Sequence, residues 1–199
     1  MVKSSIPRSI RTKVRELLKE LAAELPPKTK PGDAIPYYAR SEAYYKHVDT
    51  APALLRRVRK HGIKATKTAA GVARRAVISD TFVIKFSRYE GDQRRLVSEA
   101  NYIKEMCDRG YEINFPETHV VKIAGVIALV QEKIDMSHAW AGRKYSRNRT
   151  DAYDIAESLA CELGIDDIHE GNFGWRTAGN GEKIPVFVDV DFRYDNSHS

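Results

Sequence analysis

Asp167 and Asn172 stand five residues apart in Asp166-Asp167-Ile168-His169-Glu170-Gly171-Asn172, and Asp189 and Asp191 follow the apolar run Val186-Phe187-Val188. A carboxylate, an amide oxygen and a second carboxylate in this order suit phosphoryl transfer. One carboxylate accepts or orients the proton of an attacking hydroxyl, while an amide oxygen and another carboxylate hold Mg²⁺ on nucleotide phosphates. Asp167 is the predicted base and Asn172 a predicted metal ligand. Asp189 and Asp191 are two apart on a predicted strand and share a face, so both are candidates for the metal, with Asp189 favoured. His169 and Glu170 also raise the question of zinc, but the second histidine of a helical zinc motif is missing. His169 is expected to brace the loop through hydrogen bonds.

A positive partner for phosphate stands earlier in the chain. In Phe82-Val83-Ile84-Lys85-Phe86, alternation puts Phe82, Ile84 and Phe86 on one face of a strand and Lys85 on the other. Lys85 is either an ordinary edge-strand lysine or a buried cation with a partner. Glu99 is the candidate partner. It lies three residues after Leu96 and four before Ile103, on the inward edge of a helical stripe that also contains Ala100 and Cys107. A carboxylate kept there calls for a cation, because an unpaired buried charge is costly. Between the helical N-terminal part and this strand, Thr66 to Arg74 reads as a loop with one glycine, Gly71, and Arg74 or Arg75 as a source of positive charge.

The elements that must position these residues follow from periodicity and punctuation. Apolar residues at Ile10, Val14, Leu17, Leu18, Leu21 and Leu25 predict a helix over 8–25, stopped by Pro26-Pro27. A linker over 28–36 leads to helices over 39–47 and about 50–61. Strands are predicted at 75–78 and 82–86, then a helix over 92–107 and strands over 118–123 and 125–134. A polar loop over 135–149 precedes a helix from 150 or 151 to 163, capped by Gly164. The last hairpin carries Phe173 and Trp175 on one strand and Val186 to Phe192 on the other.

The composition suits one globular domain or two small lobes: 199 residues, 42% hydrophobic, formal charge +6. Residues 1–75 hold 18 Lys+Arg against 6 Asp+Glu, whereas the remainder holds 15 against 21. Such a basic amino-terminal part attracts nucleic acid or an acidic partner, or is a solvated helical face. Cys107 and Cys161 form no framework, which favours a reducing compartment. No apolar run has the length of a membrane span and no secretion signal is read, so a cytoplasmic protein with no membrane partner is expected.

With these residues in order, the chain resembles the protein-kinase-like superfamily over roughly residues 62–192. The resemblance rests on Val83-Ile84-Lys85, Glu99, Leu129-Val130-Gln131-Glu132-Lys133, Asp167-Ile168-His169-Glu170-Gly171-Asn172 and Val188-Asp189. The Asp-x-His-x-Gly-Asn form is similar to aminoglycoside phosphotransferases and to small bacteriophage serine/threonine kinases. In the phage kinases an apolar-Pro run like Ile184-Pro185-Val186 precedes the second Asp.

The resemblance implies an α+β, two-lobed minimal kinase fold: an antiparallel sheet with one helix, then a truncated helical lobe. It divides the chain into a helical extension at 1–60, an N-lobe at 61–134 and a C-lobe at 135–199. It further implies ATP and Mg²⁺, with Lys85 and Glu99 as the required ion pair, Gly71, Gln131 and Lys133 at the nucleotide, and transfer to a hydroxyl, expected on protein Ser/Thr or on the chain itself. If phage-encoded, the expected compartment is the host cytoplasm.

Three departures shape the alternatives. The Gly-x-Gly-x-x-Gly run is absent, Asp191-Phe192-Arg193 carries Arg where the family's Asp-Phe-Gly has Gly, and no large peptide-binding platform is expected after Phe192. The N-terminal helices or a partner would then supply a substitute base. The alternatives are a kinase-shaped protein that binds and blocks or bridges a partner, and a nucleic-acid-binding accessory protein using the basic helices.

Overall fold

The computed structural model describes residues 6–28, 37–71, 73–136, 147–166, 168–169 and 171–190. Asp167 and Asp191 lie outside the described residues. The chain divides into two compact units, Met1–Ala100 with Glu117–Lys133, and Asn101–Pro116 with Ile134–Ser199.

The first unit is built on a five-stranded antiparallel sheet of β1 (Lys67–Ala70), β2 (Arg74–Ile78), β3 (Phe82–Ser87), β4 (Thr118–Ile123) and β5 (Val126–Glu132), in the order β1-β2-β3-β5-β4. The register sets Lys85 opposite Ala76 and Leu129, and Gln131 opposite Val83 and Thr118. Because side chains alternate, Val77, Phe82, Ile84, Phe86, Ala128 and Val130 line one face. Three helices cover that face: α1 (Arg8–Glu24), α2 (Tyr37–Asp49) and α3 (Ala51–Lys60). The stripe Val14, Leu17, Leu18 and Leu21 of α1 is fully buried against β4 and β5. Charges fasten the helices at their edges. Arg57 of α3 reaches Glu20 and Glu24 of α1, and Asp49 at the end of α2 accepts from Arg75 and Arg88. α1, α2 and α3 therefore share one core with the sheet.

β1 departs from the loop predicted over 66–74. Its residues are mostly exposed, so no apolar alternation marks it; backbone pairing with β2 makes it a strand. The fourth helix, α4 (Gln93–Asp108), starts on the other face of the sheet, where Leu96 packs with Ile127 and Leu129.

The second unit holds α5 (Arg147–Leu163) and a hairpin, β6 (Phe173–Thr177) paired with β7 (Lys183–Phe187). Its core combines Ile103 and Met106 of α4 with Ala156, Ala160 and Leu163 of α5 and an aromatic group of Phe115, Phe173, Trp175 and Phe187. Gly164 ends α5 with φ +73°, and the amide of Ile165 donates back to Ala160, the left-handed cap that glycine accepts without strain. Tyr102 closes the same helix end by donating to the Leu163 carbonyl at 2.6 Å. Gly174 meets a different demand. A Cβ there would stand 2.7 Å from the Asp135 carbonyl oxygen, beside the bridge between Asp135 and Trp175.

Candidate functional site

Lys85 leaves β3 on the face away from the helical cover, as alternation predicts, and its side chain is buried. Its Nζ donates to Glu99 Oε1 at 2.9 Å. Glu99 sits on the buried stripe of α4 rather than at its edge. Gln93, Leu96, Glu99, Ile103 and Met106 are the buried positions, and Glu99 is 0% exposed. The stripe predicted from Ala100 and Cys107 is thus turned toward the carboxylate, where two hydrogen-bond donors and one further ion-paired cation converge. Besides Lys85, Gln131 Nε2 donates to Oε1 at 3.1 Å, and Arg74 Nη2 approaches Oε2 at 3.2 Å. Gln131 also donates to Thr118 Oγ1 at 3.2 Å.

A buried carboxylate is tolerable only with such compensation. Its field works both ways. Burial pushes the Lys85 ammonium below its ordinary value, Glu99 pulls it back up, and the Arg74 guanidinium adds to the lowering. The net direction is down: burial outweighs the support that Glu99 gives the ammonium.

Arg74 is the member that sequence reasoning leaves open between two arginines. Strand register decides it: Arg74 and Ala76 share the face of Lys85, whereas Arg75 turns to the helical side and meets Asp49. Gly71, between β1 and β2, is exposed; its amide donates to the Arg74 carbonyl. Gln131 and Lys133 are the residues expected at the nucleotide. The Gln131 side chain is buried on Glu99 and Thr118, and Lys133 is exposed, its amide donating to Thr81.

In the second unit, the backbone brings Asn172 and Asp189 side by side. The Asn172 carbonyl accepts from the Val188 amide at 2.8 Å and from the Asp189 amide at 3.3 Å. One carbonyl has lone pairs for both donors. These bonds end β7 at Phe187, so Asp189 lies in a bend beyond the strand and not on the strand continuing to Phe192 that the sequence suggests. Asp191, the other candidate, lies outside the described residues. The loop before Asn172 is held from two sides. Tyr153 of α5 donates to the Ile168 carbonyl at 2.9 Å, and the Gly171 amide donates to His169 Nδ1 at 3.0 Å. The brace expected of His169 is present, and it explains Gly171: a Cβ there would stand 2.9 Å from the His169 ring. An amide oxygen and a carboxylate are hard donors of the kind Mg²⁺ takes. Among the described residues no three His, Cys, Asp or Glu side chains cluster.

A solved structure of the Rio2 kinase ADP/Mg²⁺-phosphoaspartate complex from Chaetomium thermophilum is similar to this chain, with a TM-score of 0.50 and 11% identity. The likeness covers 93% of this chain and 73% of that one, so it reaches into the first sixty residues as well. At this identity it shows the fold, which is kinase-like. No family model and no curated protein matches the chain. Among the described residues, no helix is long and apolar enough to cross a membrane.

Proposed function

We propose that the chain is an ATP- and Mg²⁺-dependent phosphotransferase that moves the γ-phosphoryl group to a protein Ser/Thr hydroxyl, on a partner or on itself. The observation that carries this reading is the buried Lys85–Glu99 pair at 2.9 Å, with Glu99 held from three directions. That pair is the element a kinase needs in place before transfer. The kinase-like fold shared with Rio2, which was captured with ADP and Mg²⁺, supports nucleotide as the ligand. The Asp-x-His-x-Gly-Asn spacing favours the small phage-type and aminoglycoside-type kinases as the functional analogy.

In this reading Lys85 binds phosphate oxygens and Glu99 keeps its ammonium aimed. Asn172 and Asp189 would hold Mg²⁺, which would supply charge neutralisation at the phosphate oxygens. Asp167 takes the proton of the attacking hydroxyl as its oxygen bonds to the γ-phosphorus. The bond from that phosphorus to the β–γ bridging oxygen breaks, and ADP leaves. Arg74 supplies positive charge where the family's glycine amides would otherwise cradle phosphate. Transfer of ³²P from labelled ATP is expected from wild type with Mg²⁺ and not with EDTA. Absence of transfer to any protein, to itself or to a small hydroxyl compound would refute the enzyme.

A second reading has its own support. The β1–β2 connection offers Gly71 where three glycines are expected, and Arg74 already ion-pairs with the second oxygen of Glu99 at 3.2 Å. A kinase-shaped protein that binds and blocks or bridges a partner would tolerate both. It predicts capture of a defined partner with no response to ATP. Nucleic-acid binding through the basic helices is the third reading. It requires affinity that falls steeply with salt.

A further inference from the structure

A cavity of about 380 Å³ opens at the start of α4, lined by Lys28, Arg40, Arg94 and Lys122 with one carboxylate, Glu90. None of its lining residues belongs to the Lys85–Glu99 cluster. Glu90 is committed to Arg40, whose Nε donates to it at 2.5 Å and whose Nη1 donates to the Pro26 carbonyl at 2.5 Å. Among the described residues no carboxylate lies within ion-pair distance of Lys28, Arg94 or Lys122. Among the described residues, three like charges therefore face one concavity with no carboxylate paired to them, an arrangement that costs repulsion unless an anion enters.

The walls are preformed. Gln93 is buried and its Oε1 accepts from the Ile127 amide at 2.6 Å, tying the first turn of α4 to β5. Gly125 has φ +81°, and a Cβ there would stand 3.1 Å from Lys28 Nζ. The bare backbone of the β4–β5 turn lets the lysine lie across it. The positive end of α4 adds the same sign.

We propose that this cavity is a binding site for a small, multiply charged phosphate ligand, distinct from any nucleotide contact of Lys85. Three uncompensated cations match a compact anion of two or three charges. The volume falls in the small-ligand range of roughly 300–1,000 Å³. The site stands whether or not the chain transfers phosphate.

Titration of the ¹⁵N-labelled full chain with inorganic pyrophosphate, without Mg²⁺, tests it through the amide resonances of Gly91, Gly125 and Ile127. These are expected to shift saturably, with affinity that weakens as salt rises. Both Arg94 and Lys122 are exposed, so the double variant Arg94→Ala/Lys122→Ala retains the fold and is expected to bind at least about tenfold more weakly, in line with two lost charge-assisted contacts. The single variant Lys122→Glu is expected to abolish the shifts. Unchanged affinity in the double variant, shifts confined to β3 around Lys85, or no shift at millimolar pyrophosphate would each overturn the proposal.

Discussion

The two sets of candidate residues are built in opposite ways. In the first unit, Glu99 is sealed in the interior and its charge is met by Lys85, Arg74 and Gln131. Side chains hold one another, on rigid strand and helix. In the second unit, Asn172 and Asp189 are placed by backbone bonds between two loop segments, and Asp189 is only half-buried. There the main chain does the positioning. The difference teaches where substitutions will register. Damage to the first set disturbs folding together with function, because it strands a buried charge. Damage to an oxygen donor of the second set removes chemistry and leaves the scaffold.

The largest expected effect falls on transfer rate. Asp167→Asn and Asp189→Asn are each predicted to lower ³²P transfer by about 10³-fold or more, the range seen for losing a required electrostatic group. The Tm of Asp189→Asn should stay within about 2 °C of wild type, since the change keeps the side chain's size and leaves the backbone bonds to Asn172 in place. A large loss of Tm in Asp189→Asn would erase the contrast between the units. Next comes stability in the first unit. Glu99→Ala leaves two cations buried together and should cost about 3–5 kcal/mol, read as a shift of the urea midpoint. Arg74→Ala leaves Glu99 with Lys85 and Gln131, so a smaller loss of about 1–2 kcal/mol is expected. Equal losses would show that Arg74, not Lys85, carries the pairing.

Smaller effects sharpen the second unit. Gly174→Ala should cost about 1–3 kcal/mol, because its Cβ meets the fixed Asp135 carbonyl. Gly171→Ala meets only the His169 ring, so removing that ring in Gly171→Ala/His169→Ala should recover part of the loss. Strict additivity in that cycle would contradict the brace.

The smallest effect is acid sensitivity at the edge of the helical cover. Hydrogen bonds from Arg88 hold the Asp49 carboxyl well below the usual carboxylate range, and a hydrogen bond from Arg57 lowers that of Glu24. A carboxyl with a depressed folded pKa stabilises the fold above its unfolded value, near about 4, and that contribution is lost as pH falls through the folded one. The contribution of these two carboxyls should therefore be constant from pH 7 to about 5 and decline below, with a shallower decline of Tm in Asp49→Asn.

Much of the first unit is legible in the amino-acid sequence. The stripe of α1, the β2–β3 pair with Lys85 turned away from Phe82, Ile84 and Phe86, and the Gly164 cap of the second unit follow from spacing alone. β1 is hidden because its exposed residues carry no pattern; a strand made by backbone pairing leaves no such trace. The end of β7 is illegible because apolar residues continue through Val188 and Val190, while the bonds from Val188 and Asp189 to Asn172 that bend the chain are tertiary. Helical spacing sets Glu99 at an edge, since counting along a helix does not reveal how many donors the facing strands will bring.

One measurement reaches the central claim directly: the Tm of the full chain titrated with ATP, with and without Mg²⁺, in wild type, Lys85→Met and Asp189→Asn. Ligand that binds the folded state must raise Tm. The account predicts a rise in wild type that grows with Mg²⁺, a rise abolished in Lys85→Met, and one indifferent to Mg²⁺ in Asp189→Asn. No rise at millimolar ATP, or an equal rise in all three proteins, would contradict it.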